Sequence, residues 1–316
     1  MRLLDLNKNE TVKEVPLTPH SYYQYDFNHQ YVVWSAEDIP TSTDPQDPMS
    51  DPNNIKGDIY LYDLAQGEVK RITNDDYDQI APKIWSHYLV WMDDRATKKE
   101  EWPQQRWKIY LYDIDTGKEK LISTAPGQHS DPVIDNGVVV WEDGRHVDDP
   151  ILRGGGNVPK NNTDIYGYDI ATEKEFPIAT GAYKDGAPDL SYPWVVWEDY
   201  NNDPDLYGAD ITAYNLDTHV VVPVTHDKIR QMTPQVGGSV VAWTDERRGG
   251  SESDVFTNGK KPNSDVFVYD LNHNREQRIS GEKVDLVGGV SEHWVAYGED
   301  MQLHWTIHVK RVPGNL

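Results

Sequence analysis

Pro82-Lys83-Ile84-Trp85-Ser86-His87-Tyr88-Leu89-Val90-Trp91-Met92-Asp93, with Lys108-Ile109-Tyr110-Leu111-Tyr112-Asp113 after it, is one unit of a repeat that runs through the whole chain. The same nine-residue offset joins Pro132 to Trp141, Pro188 to Trp197 and Pro234 to Trp243. A tyrosine cassette closes each unit: Ile59-Tyr60-Leu61-Tyr62-Asp63, Ile165-Tyr166-Gly167-Tyr168-Asp169, Ile211-Thr212-Ala213-Tyr214-Asn215 and Val266-Phe267-Val268-Tyr269-Asp270. A period of about fifty residues, dense in aromatic β-formers and turn residues, is the mark of a propeller blade.

Within the quoted unit, Ala81–Trp85 suits an innermost strand and Tyr88–Trp91 is strongly β-prone. Lys108–Ile114 makes a third strand, Asp115-Thr116-Gly117 a turn, and Lys118–Ser123 a half-exposed outer strand. The tryptophan position recurs as Trp34, Trp91, Trp141, Trp197 and Trp243, with Tyr297 in the last unit. The pattern predicts an all-β chain: a six-bladed β-propeller of four-stranded antiparallel blades, one domain over 1–316, with blades near 20–74, 75–124, 125–180, 181–226, 227–280 and 281–312. The last unit runs out after its third strand near Trp305–Val309, while Asp5–Val15 aligns with Asp63–Ile72. Residues 1–19 are therefore expected to supply the outer strand of the sixth blade and remove its free edge.

Val140-Trp141-Glu142-Asp143-Gly144-Arg145 with Asp164-Ile165-Tyr166 resembles the repeat of TolB-like six-bladed propellers, and the likeness extends over essentially the whole chain. Common members of that family carry Ser-Pro-Asp-Gly between the first two strands. Here those turns read Ser86-His87, Asp135-Asn136-Gly137, Ser191-Tyr192-Pro193 and Gly237-Gly238-Ser239, which places the chain in an outlying branch. The resemblance implies an extracytoplasmic home (periplasmic, cell-surface or secreted). It spans scaffold proteins, peptidase-associated propellers and polysaccharide lyases, so it implies no single activity.

Composition removes several classes. A formal charge of −23 repels nucleic acid, and no basic aromatic stripe offsets it. No apolar run is long enough for a membrane span. The absence of Cys excludes disulfides, thiol chemistry and Cys-bound zinc. With 19 Tyr and 11 Trp against 4 Phe, amphipathic rings supply much of the packing and need hydrogen-bond partners. Met1–Asn9 is charged and does not read as a signal peptide, so the chain is expected to be a trimmed domain or a mature form.

Length variation is concentrated between second and third strands, where loops on a rigid scaffold usually bind. Asp44, Asp47, Asp51, Asp148, Asp149 and Asp203 in these loops suit solvated turns and also offer calcium ligands, without EF-hand spacing. No cofactor is required, and calcium or another divalent ion is the candidate. Three residues before each repeat proline, or its equivalent, stand Tyr22, Gln79, His129, Asp185, Gln231 and Asp285. This predicts a polar ring at the channel mouth, with Asp78, Lys184 and Arg230 one residue earlier. Trp102 and Trp107 are aromatic candidates for stacking on a sugar or anchoring a partner.

The element Trp-x-Asp-x-Arg (Trp91/Asp93/Arg95, Trp141/Asp143/Arg145, Trp243/Asp245/Arg247) recurs too often to be one active site and reads as structural. It lapses in the fourth unit, where Asn201 replaces Arg. The reading that follows is a non-catalytic propeller presenting its loop face and channel mouth to a protein, peptide or glycan. The alternative is a polysaccharide lyase or metal-assisted hydrolase, with Tyr22 or His129 as base and Arg230 or Lys184 neutralising a uronate. In that alternative His129, Asp185 and Asp285 are candidate metal ligands.

Overall fold

The computed structural model describes residues 1–5, 10–17, 21–37, 57–97, 106–147, 162–201, 208–226, 229–247, 264–280, 285–300 and 305–312. These contain strands and turns and no helix. Two compact units divide the chain, Met1–Val139 and Val140–Leu316.

The first sheet comprises β3 (Ser21–Phe27), β4 (Tyr31–Glu37), β5 (Gly57–Asp63) and β6 (Glu68–Arg71) in that order. The second comprises β7 (Gln79–Trp85), β8 (Tyr88–Asp93), β9 (Lys108–Asp113) and β10 (Lys118–Leu121). Three further four-stranded sheets follow: β11 (His129–Asp135) to β14 (Lys174–Ala179), β15 (Asp185–Ser191) to β18 (Val221–Pro223), and β19 (Gln231–Gly237) to β22 (Arg275–Arg278). The sixth sheet has three described strands, β23 (Asp285–Val290), β24 (Trp294–Asp300) and β25 (Trp305–Arg311).

Each recurrent residue has a mechanical reason. Asp or Asn ends the cassette because its Oδ1 accepts the N–H groups of the following turn. Asp63 takes Ala65 and Gln66, Asp113 takes Asp115 and Thr116, and Asn215 takes Asp217 and Thr218. The turn then needs one residue at positive φ, supplied by Gly67 and Gly117 and elsewhere by Glu173, His219 and Asn274. The repeat proline follows a residue at φ near +50° (Ala81, Asp131, Ala187, Thr233). Register shifts at Ile80/Lys83, Gly186/Asp189 and Met232/Gln235 put β-bulges there, where no ladder N–H is required of proline.

Outer strands end in an aliphatic residue followed by Ser or Thr, which clasps the third strand from both sides. Ile72, Ile122, Val224 and Ile279 donate their N–H to the carbonyls of Ile59, Ile109, Ile211 and Val266. The N–H groups of those same four third-strand residues donate to Thr73, Ser123, Thr225 and Ser280 at 2.7–2.9 Å. The core lies between successive sheets. Trp91 packs with Val33, Ile59 and Leu61 of the first sheet, and Trp243 with Val196, Ile211 and Ala213 of the fourth. Tyr297 takes the same place against Val240, Ala242, Val266 and Val268.

The outer strand expected of residues 1–19 falls partly on 6–9 and 18–19, outside the described residues. Within the first unit β1 (Arg2–Asp5) pairs antiparallel with β2 (Glu10–Glu14), Arg2 opposite Glu14. A hairpin between neighbouring segments closes a short loop at small entropic cost. Val15 then packs with Val32, Trp34 and Tyr62, and the Lys13 Nζ donates to the Leu64 carbonyl at 3.2 Å.

Candidate functional site

Gln79, His129, Asp185 and Gln231 each open the innermost strand of a sheet, as the register implied, and all four are at most 1% exposed. Their side chains are engaged within the fold. Gln79 Nε2 donates to Asp75 (2.9 Å), and Thr225 Oγ1 donates to Gln231 Oε1 (3.1 Å). His129 Nδ1 lies 3.3 Å from the Lys108 ammonium, which also donates to the carbonyls of Ala125 and Gly127. Tyr22 lies on β3 and Asp285 opens β23, with only their backbones described. Trp102 and the six loop aspartates fall outside the described residues. Trp107 is half-buried ahead of β9, with the Arg106 guanidinium 4.2 Å over its ring. Arg106 is held by Asp78 and Asp94 at 2.6 and 3.2 Å.

The recurrent triads are consumed internally. In three sheets the indole N–H donates to the Asp two residues on (Trp91–Asp93, Trp141–Asp143, Trp243–Asp245) at 2.8–2.9 Å. The Arg two residues further pairs with that buried Asp and with a Glu on the outer strand, as Arg95–Glu119, Arg145–Glu175 and Arg247–Glu276. The outer-strand Glu was not anticipated from the sequence, though Glu occupies the second position of each of these strands.

The fourth sheet breaks the pattern, and the sequence marks where. With Asn201 in place of Arg, Asp199 accepts the Asn201 amides and the Thr212 hydroxyl. The indole of Trp197 turns instead to Asp185 Oδ1, at 3.0 Å. Burial, then the neighbouring charge of Asp199, pushes the Asp185 carboxyl up to about 8, against the pull of the Trp197 bond. With burial outweighing the indole bond, this carboxyl keeps its proton near neutral pH.

Beside it, still within Val140–Leu316, stands a polar cluster: Glu142, Lys184, Glu198, Tyr200 and Arg230. Glu142 and Glu198 follow the Trp of their strands and cap bulge N–H groups, those of Ala187 (3.3 Å) and Thr233 (2.8 Å). Tyr200 Oη donates to Glu198 at 2.9 Å, and the Lys184 ammonium lies 5.5 Å from the Tyr200 ring centre. Burial, then Glu198, raises the Tyr200 phenol above its ordinary range, opposed by Arg230. Gly186 is required here, since a Cβ would stand 2.6 Å from Glu142 Oε2. Tyr200, Glu142 and Glu198 escaped sequence reasoning, and the one available signal was the lapse at Asn201. Lys184, Tyr200 and Arg230 are half-buried. Metal-type donors come together among the described residues at His87, Asp113 and Asp115, on turns at the other end of the second sheet.

Comparison with known proteins bears on the fold. No family model matches the sequence, and no curated protein matches it. Among solved structures, the β-propeller domain of the Trilobed protease from Pyrococcus furiosus, described as having an open velcro topology, is similar at 12% identity. Its TM-score is 0.62, over 94% of this chain and 84% of that one. An oligogalacturonate lyase in complex with manganese matches at 13% identity and TM-score 0.55, over 92% of this chain and 76% of that one. TolB from Acinetobacter baumannii matches at 12% identity and TM-score 0.49, over 81% of this chain; the chain spans 57% of that structure's length. With six sheets of the repeat order described above, the fold is a six-bladed β-propeller. At this identity the likeness is one of fold alone. No helix of the described residues is long and apolar enough to cross a membrane.

Proposed function

We propose that this chain is a non-catalytic, TolB-like propeller that binds a protein, peptide or glycan on the long-loop edge of its sheets, in an extracytoplasmic setting. The supporting observation is the division of labour among its polar residues. Those that recur hold the sheets together, with their donors and acceptors spent on one another. Outside the triads, Lys184, Tyr200 and Arg230 lie half-buried beside Glu142 and Glu198, where a polar ligand gains charge-assisted hydrogen bonds. Trp107 with Arg106 offers a flat, cation-capped aromatic of the kind that stacks on sugars or anchors a partner.

A second reading, cleavage of an acidic polysaccharide, draws on the fold shared with an oligogalacturonate lyase and on the pair Lys184 and Arg230 as neutralisers of a carboxylate. Of the two candidate bases, His129 is wholly buried, which weighs against it in that role, and the Tyr22 side chain lies outside the described residues. Glycan and peptide arrays test the binding reading directly. Retention that falls at least tenfold in a Lys184→Ala, Arg230→Ala double variant supports it, and unchanged retention refutes this choice of surface. Appearance of unsaturated uronate absorbance with a polysaccharide panel, with or without added calcium or manganese, would decide for the lyase instead.

A further inference from the structure

The turn that joins β7 to β8 and the turn that joins β9 to β10 meet at one end of the second sheet, both within Met1–Val139. A backbone bond fixes the contact, the Ile114 N–H donating to the His87 carbonyl at 2.9 Å. His87 is thereby brought against the two neighbours of Ile114, and one donor atom each from His87, Asp113 and Asp115 lies within 4.8 Å of the other two. The imidazole Nδ1 stands 3.8 Å from Asp115 Oδ2 and 3.2 Å from Ser86 Oγ. Tilted packing on Tyr88, with ring centres 4.2 Å apart, restrains the ring.

The backbone bond recurs, from Leu64 to Gln30, Leu216 to Pro193 and Leu271 to Ser239. The side chains at the contact do not. Where the second sheet has His87, Asp113 and Asp115, the first has Gln30, Asp63 and Ala65, the fourth Pro193, Asn215 and Asp217, and the fifth Ser239, Asp270 and Asn272. None of those three sets joins an imidazole to two carboxylates. The fold accounts for Asp113, whose Oδ1 accepts the turn N–H groups of Asp115 and Thr116. His87 and Asp115 serve the turns through main-chain groups, and their side chains are 35% and 69% exposed. An ion pair between groups so exposed contributes little to stability.

We propose that His87, Asp113 and Asp115 form a binding site for a divalent transition-metal ion, with Zn²⁺ the best match. Ligand atoms about 2.1 Å from a tetrahedral zinc stand about 3.4 Å apart, so closing the site takes a movement on the order of 1 Å, which the exposed Asp115 side chain can make. One imidazole nitrogen with two carboxylate oxygens suits zinc and its neighbours. Calcium takes six to eight oxygens and magnesium a near-octahedral oxygen shell, so both are poorer matches. The two N–H bonds to Asp113 hold its carboxylate in one orientation, as outer partners do for metal ligands. Two carboxylates and a neutral imidazole balance the ion's charge, and the −23 of the whole chain attracts cations toward it. Water completes the coordination on the open side. The site stands or falls without the Lys184, Tyr200 and Arg230 patch.

The test is calorimetric titration of the whole chain with Zn²⁺, with the visible absorption of bound Co²⁺ reporting the coordination. A saturable site is expected. His87→Ala, Asp115→Asn and Asp113→Asn should each weaken it at least tenfold, since losing an outer partner of a metal ligand already costs about 10- to 100-fold. Far-UV circular dichroism should be unchanged in all three. Asp113→Asn keeps a turn acceptor of the kind Asn215 provides in the fourth sheet, so it and Asp115→Asn carry the test should His87→Ala fail to fold. No saturable uptake of Zn²⁺, or uptake unchanged in the variants, overturns the proposal. So does an equal response to Ca²⁺ and Mg²⁺, which would mark diffuse attraction of cations to an acidic chain.

Discussion

Asp185 is the most informative single residue to change. Its carboxyl is 1% exposed, accepts the Trp197 indole, and is pushed up to about 8 by burial and then by Asp199. In the unfolded chain the same group titrates near 3.8. Between those values the native state holds a proton that the unfolded chain has released. Unfolding therefore becomes easier as pH rises from about 4 to about 8, by about 1.4 kcal/mol per pH unit, and is independent of this group above that range. At pH 7 the accumulated cost has a ceiling of about 4 kcal/mol, reduced by whatever relaxation the site permits.

Asp185→Asn keeps an oxygen for the indole and cannot ionise. It should stabilise the protein at pH 7, by as much as about 4 kcal/mol, with the gain fading to nothing near pH 4. Urea unfolding of both proteins at half-unit steps from pH 4 to 9 measures the difference curve. Parallel curves between pH 5 and 8 would refute the assignment, because they would show Asp185 ionised in the native state like any exposed carboxylate.

Asp245→Ala strands the Trp243 indole and the Arg247 guanidinium around a vacated buried site. The cost should be about 3 kcal/mol, read from the denaturation midpoint, and a loss below about 1 kcal/mol would show that the triad is decorative. Thr225→Val removes the clasp on Ile211 together with a bond to Gln231. It should cost about 1–2 kcal/mol and speed exchange of the Ile211 amide, and a protected amide would exclude the clasp. Gly186→Ala drives a Cβ to 2.6 Å from Glu142 Oε2 and should destabilise by about 1–3 kcal/mol, with the double change Gly186→Ala, Glu142→Ala recovering part of the loss.

The repeat made the sheets legible because each signal is local. Strand propensity, the Asx turn after each cassette and the spacing from proline to tryptophan are set by neighbours in sequence, and five of the six sheets form as the pattern requires. The structural role of Trp-x-Asp-x-Arg was equally readable, since identical residues in three units answer to identical surroundings.

The sequence by itself therefore determined the all-β repeat, the number of sheets, the buried tryptophan layer and the register that sets Gln79, His129, Asp185 and Gln231 at strand openings. Tertiary structure alone decided how those residues are spent. Register counts residues along one strand, whereas burial and charge depend on groups arriving from the sheet beside it. Hence Asp185 meets Trp197 and Asp199, and Glu142 and Glu198 reach across to bulge N–H groups.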